Sequence, residues 1–300
     1  MEVNEPKSKK LLILGLCALI ALCLFFAISY YNHLLNQREQ RKTAIENQKA
    51  EEITIRIIEG WSNQEIGEYL EKQSIVPANV FLKSTLDFNT SEYENRLPVE
   101  VKTNLQGFLY PDTYRLFKSI SDPKITTATE AVKTIINKQL ETFIKRLPED
   151  ASTKAKKQGI SLYEAITLAS IIEKETGRNA TTASSKTNLD EERKIVAGIF
   201  YNRLRIKMAL QSDATINYIT GKNDPSAELL DLEIISPYNT YKHRGLPPTP
   251  IGNPSLSSIS AVLEPANTDY LYFLHKQPSG EPVYSKTFEE HVKNKLRYLK

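Results

Sequence analysis

Cysteine is nearly absent from this chain. Both of its cysteines, Cys17 and Cys23, fall inside one apolar run. The rest of the chain therefore has no disulfide framework, no thiol nucleophile and no thiolate metal site, so an ordinary core must stabilise it. Histidine is scarce too. His33, His243, His275 and His291 make no closely spaced pair and no His-Glu-x-x-His motif, so metal chemistry has little support and no cofactor is expected. There is no Gly-x-x-x-x-Gly-Lys phosphate loop and no Gly-x-Ser-x-Gly elbow. A net charge of +3, with no long basic block beyond the N-terminus, argues against nucleic acid as a partner. No solenoid-type repeat occurs.

One long hydrophobic run does occur. Leu11 to Tyr31 is broken only by Gly15 and Ser29 and follows Lys7, Lys9 and Lys10. A helix of that length spans about 30 Å, enough to cross a bilayer. No small-x-small cleavage site follows the run. The expectation is an uncleaved signal anchor over 11–31, with 1–10 as a cytoplasmic tail and the remainder outside the inner membrane. Arg38, Arg41 and Lys42 after the span oppose this orientation, but long domains translocate largely regardless of such charge.

Over the whole chain, 40% hydrophobic and 25% charged residues describe an ordinary globular protein of about two domains. Residues 32–52 are polar and read as a stalk. Ile53 to Gly60 alternates as a strand does, and Ser62 with Glu65 has capping-box spacing. Pro77 opens a further helix, and Leu105 to Leu116 reads as strand, turn, strand. Strand, helix, helix and strand make a small module over 53–120. From 121 to 300 the pattern is mainly helical. Helices are expected over 126–147, 151–158, from Ser161 to Gly177 and over 191–204, with an exposed loop over 178–189. The last third is loop-rich, with short strands near 270–273 and 283–284 and a basic final helix from Thr287. The fold class is α+β.

The helix from Ser161 carries the chemistry. At 100° per residue, Leu162, Ile166 and Ala169 lie within about 40° of Glu173, while Glu175 lies nearly opposite with Leu168 and Ile171. Both faces are largely apolar. Burial and the negative end of the helix dipole both favour a protonated carboxyl at Glu173, the form a general acid needs. Equally, such a glutamate could meet water or pair with Lys174 or Arg178. Leu210 to Thr215 and Ser236 to Tyr241 offer amides, hydroxyls and flat rings that suit a sugar groove, although the same residues make good loops.

Taken in order, several stretches resemble the YceG-like family of endolytic murein transglycosylases. They are Gly107 to Tyr114 (GFLYPDTY), Ala169 to Thr176 (ASIIEKET), Val196 to Leu204 (VAGIFYNRL), Leu210 to Asp213 (LQSD), Tyr238 to Tyr241 (YNTY) and Gly245 to Pro248 (GLPP). The resemblance implies a LysM-like module beside a helical catalytic domain, and a catalytic glutamate in the Ile-Ile-Glu-Lys-Glu-Thr motif. That glutamate is placed at Glu173, with Glu175 in reserve. It further implies lytic cleavage of the MurNAc–GlcNAc bond of nascent glycan strands to 1,6-anhydro ends, with one glutamate as acid and then base. Gln211, Asp213, Asn239 and Tyr241 would hold the sugar, and peptidoglycan synthases would be partners. The alternatives are a muramidase that uses water and a non-catalytic peptidoglycan-binding scaffold. Three departures stand out: Gln106 where the family usually has Glu, a longer 177–189 segment, and Thr249 where Gly commonly follows Leu-Pro-Pro.

Overall fold

Side-chain caps start five of the ten α-helices among the described residues. A computed structural model describes residues 7–94, 96–176, 183–222 and 227–299, without the side chains of 7–21, 45–50, 102–103 and 183–188. Helix α1 covers Lys7–Ala50. Among the described residues no helix is long and apolar enough to cross a membrane. The expected span at 11–31 straddles their edge, because the side chains of 11–21 lie outside them.

Strand β1 (Glu52–Arg56) pairs antiparallel with β2 (Thr113–Phe117), with Ile55 opposite Tyr114. Between them run α2 (Asn63–Lys72) and α3 (Ala78–Leu86). The Ser62–Glu65 capping box is present in full, and Pro77 occupies the N-cap of α3. Only the second of the two strands expected over 105–116 forms. Gly107 and Phe108 lie in a turn instead, and Gly107 has a φ of +92°, which a strand does not accept.

Five helices follow: α4 (Ala128–Arg146), α5 (Ala151–Lys157), α6 (Leu162–Thr176), α7 (Ala183–Arg205) and α8 (Asp213–Thr220). Thr127 and Glu130 close a capping box on α4, and Ser161 and Glu164 do the same on α6. The loop expected at 178–189 is corrected in part: the chain is helical from Ala183, and 177–182 lie outside the described residues. Its Ser and Thr residues suit the first turns of a helix as well as they suit a loop. Two short helices were not expected from the sequence, α8 and α9 (Leu256–Leu263). The hairpin β3 (Tyr272–His275) with β4 (Pro282–Ser285) and helix α10 (Phe288–Tyr298) end the fold.

Helix α6 is the central element. Eleven of its fifteen residues are buried. It packs on α7 and α9, and one hydrophobic core runs unbroken from Ile55 to Leu263, across the expected boundary at 120/121.

Asn253 joins the first strand module to this core. It is fully buried, and its Oδ1 accepts the N–H groups of Gly107 (3.0 Å) and Leu109 (2.9 Å). Its Nδ2 donates to the Trp61 carbonyl and to Asn63 Oδ1. Its main chain exchanges hydrogen bonds with Gly60 and Trp61, both at 2.8 Å. Gln106, the first departure from the family pattern, accepts the Asn63 N–H through Oε1 at 2.9 Å. A glutamate could accept that bond equally well.

Candidate active site

The last turn of α6 holds two carboxylates on opposite sides of the helix, and their surroundings differ. Glu173 is 6% exposed and faces the core. Its Oε2 accepts the Ser255 N–H at 2.9 Å and the Ser255 hydroxyl at 2.5 Å, and its Oε1 lies 3.5 Å from Arg193 Nη2. Arg193 is equally buried and also reaches Asp190 at 3.0 Å. Ser255 caps α9 and Arg193 belongs to α7, so Glu173 ties α6 to both of those helices. Gly60 closes over it: a Cβ at that position would lie 3.3 Å from Glu173 Cγ. The sequence argument for an acid rested on burial, and the structure gives burial with a cation and two donors already in place.

Glu175 faces the other way. It lines a cavity of about 640 Å³ between α7, the start of α8, the β3–β4 hairpin and α10. Its Oε1 accepts the Ser212 hydroxyl in a short hydrogen bond. Gln211, Asp213 and Tyr241 line the same cavity, so the structure brings four of the six proposed residues together there. The Tyr241 hydroxyl donates to Asp213 Oδ1 at 2.5 Å. Burial first, then Asp213 and Glu175, push the Tyr241 phenol well above its ordinary range, so it stays a donor at any working pH. Asn239 has a different place. It is fully buried, its Nδ2 donates to the Leu232 and Ile234 carbonyls, and its Oδ1 accepts the Tyr241 N–H. It shapes the loop that carries Tyr241 and does not line the cavity.

Sequence reasoning did not single out Ser212 and Arg203. Ser212 is held by the Thr240 hydroxyl, which accepts its N–H at 3.0 Å, while Gln211 beside it adopts a φ of +49°. Arg203 is 6% exposed and donates to the Leu271 and Leu210 carbonyls. It stands 5.4 Å from the centre of the Tyr272 ring and gives the cavity a fixed positive charge close enough to act on Glu175 and Tyr241. Both residues sit in stretches already noted, VAGIFYNRL and LQSD, so their position in a motif was the available signal. Thr249, the third departure, bonds the Tyr238 hydroxyl at 2.8 Å. Among the described residues no cluster of His, Cys, Asp and Glu could hold a metal ion.

Residues 31–297 match the YceG-like family. The chain belongs to that family. It is 37% identical over 239 residues to the endolytic murein transglycosylase of Bacillus subtilis (strain 168), covering 80% of this chain and 59% of the relative. It is 34% identical over 211 residues to the endolytic murein transglycosylase of Streptococcus pneumoniae, covering 68% of this chain and 34% of the relative. It thus spans about a third to three-fifths of the length of these YceG-like relatives. The crystal structure of a yceG-like protein from Listeria monocytogenes is similar, with a TM-score of 0.65 and 34% identity over 80% of this chain and 75% of that one.

Proposed function

We propose that this chain is an endolytic peptidoglycan transglycosylase and that Glu175 is its acid and base. The observation that carries the reading is Glu175 in an open cavity with Ser212, Asp213, Tyr241 and Arg203 around it. The names of its curated relatives support the substrate class. Glu175 protonates the glycosidic oxygen between N-acetylmuramic acid and N-acetylglucosamine, and the bond to the muramic anomeric carbon breaks through an oxocarbenium-like state. The 6-hydroxyl of the same muramic residue attacks that carbon and gives its proton to the Glu175 carboxylate. The products are a 1,6-anhydro end and a free 4-hydroxyl. One carboxyl suffices because the nucleophile is already in the substrate. Ser212 holds Glu175 by its hydrogen bond, and Asp213 and Tyr241 bind sugar hydroxyls. Glu173 positions the end of α6 rather than touching substrate. A muramidase would need a second carboxylate to activate water. Asp213 is in the cavity, but its Oδ1 is engaged by Tyr241.

The finer parts rest on the sequence. The run at 11–31, with lysines before it, supports a single-pass anchor in the inner membrane and an extracytoplasmic catalytic part over 121–300. The strand–helix–helix–strand order of 53–120 supports a LysM-like module. A place beside peptidoglycan synthases suits an enzyme of nascent strands.

The test is digestion of peptidoglycan by the full chain and by Glu175→Gln and Glu173→Gln, with the released ends read by mass spectrometry. Wild type releases 1,6-anhydro ends, and Glu175→Gln lowers the rate by about 10²–10⁴-fold. Glu173→Gln keeps most of the rate and instead loses roughly 1–3 kcal/mol of stability in denaturant. Reducing ends from wild type would make the enzyme a hydrolase. Full activity of Glu175→Gln beside a dead but folded Glu173→Gln would return the acid to Glu173. No cleavage by wild type would leave the scaffold reading.

A further inference from the structure

The cavity is lined in part by residues that the proposed cleavage does not use. Helix α10 turns one stripe toward it, Phe288, His291, Lys295 and Leu299, all of which line the cavity. These positions follow one another by three, four and four residues, which is one face of a helix. None of the residues of α10 is buried, and Phe288 is 65% exposed. His291 stacks on Tyr272 at 5.2 Å, and its Nδ1 is shielded from solvent with no hydrogen-bond partner among the described residues. Lys295 has no carboxylate within ion-pairing distance among the described residues. Lys276 adds a second amine to this wall, paired with Glu281 at 2.8 Å and resting over the Tyr298 ring at 5.2 Å. The cavity lining therefore combines two carboxylates, Glu175 and Asp213, with an unspent cation, Lys295, set between two apolar side chains.

The sugar backbone of a peptide-bearing strand carries no charge that would use such a wall, because each lactyl carboxyl is closed as an amide to its peptide. The peptide attached to each muramic residue does, since it combines small apolar side chains with free carboxylates. We infer that the α10 face is a subsite for the stem peptide, with Lys295 holding a peptide carboxylate and Phe288, Leu299 and the His291 ring packing its apolar side chains. The inference rests on the transglycosylase reading and deepens it: the enzyme selects strands that still bear peptides.

The experiment measures kcat/KM of the full chain on peptide-bearing strands and on strands stripped of peptide by an amidase, which keep one lactyl carboxylate at each muramic ring but lose the peptide's apolar side chains and its more distant carboxylates. Wild type favours the peptide-bearing strand by about tenfold or more, as one charge-assisted hydrogen bond supplies. In Lys295→Glu that ratio falls toward one, chiefly through KM. Lys295→Arg keeps it, and so does Lys293→Glu, whose lysine pairs with Glu289 in solvent on another face. A wild-type ratio near one overturns the subsite while leaving the transglycosylase intact. So does a ratio that Lys295→Glu leaves unchanged. Wild type that cleaves neither strand overturns the parent reading and the subsite with it.

Discussion

Glu173 and Glu175 are two residues apart and differ in every respect that matters to chemistry. One is sealed under Gly60 with Arg193 and Ser255, and the other opens onto a cavity. The helical wheel placed them on opposite sides but could not rank the sides, because both are apolar. The ranking depends on Ser255, 82 residues away, and on Ser212, 37 away, so it is a tertiary fact. Asn239 shows the same dependence on tertiary partners. Its amide suits a sugar as well as it suits a loop, and the carbonyls of Leu232 and Ile234 had already taken it. At this scale His291 gives a further prediction. Burial first, then Lys295 and Arg203, lower its imidazole below the ordinary 6.5. The folded state therefore binds fewer protons there than the unfolded chain does. Stability from this group is fully present above about pH 6.5 and is lost as pH falls from there through the folded value. Denaturation midpoints measured from pH 7.5 to 5 fall for wild type, and His291→Gln removes part of that slope. An unchanged slope would put the dependence elsewhere.

Elements with their own start signals were legible. Ser62, Thr127, Ser161 and Thr287 each carry Glu three residues on, and each begins a helix as expected. A capping box is local chemistry and needs no partner from the rest of the fold. Helices α8 and α9 have eight residues each and lack that box, so they passed for loop. The GFLYP stretch passed for strand because its aromatic residues are strand formers, whereas its turn is imposed from outside. Gly107 lies at positive φ against Pro250, and a Cβ there would sit 2.5 Å from the proline ring. Gly107→Ala should therefore cost upward of about 2 kcal/mol, from backbone strain and overpacking together. A denaturant melt of the full chain checks this. A loss below about 0.5 kcal/mol, the range of an ordinary surface change, would mean the contact relaxes freely.

Over the whole molecule, the expected division at 120/121 is a change of pattern along the sequence. In space a single core crosses it. Composition could show where strands give way to helices, but not that Ile55 and Leu263 would share one interior. Lys174 reaches from α6 to Glu65 of α2 at 3.4 Å, a further link across the same line. The prediction is one cooperative unfolding transition for residues 53–299, with coincident fluorescence and far-ultraviolet dichroism curves. Two separated transitions would mean that the strand module folds alone.

The position of Asn253 has a consequence for synthesis. The turn at Gly107 to Leu109 and the loop at Gly60 to Asn63 complete their hydrogen bonds only with a residue made about 150 to 190 positions later. Through most of translation the first module emerges with those N–H and C=O groups unclaimed, open to water, to chaperones and to proteases. Its hydrogen bonding is complete only when the segment around Asn253 is in place. Quality control would thus act on the finished chain: a ribosome that stalls before residue 253 releases a product whose earliest-made part is still unlocked.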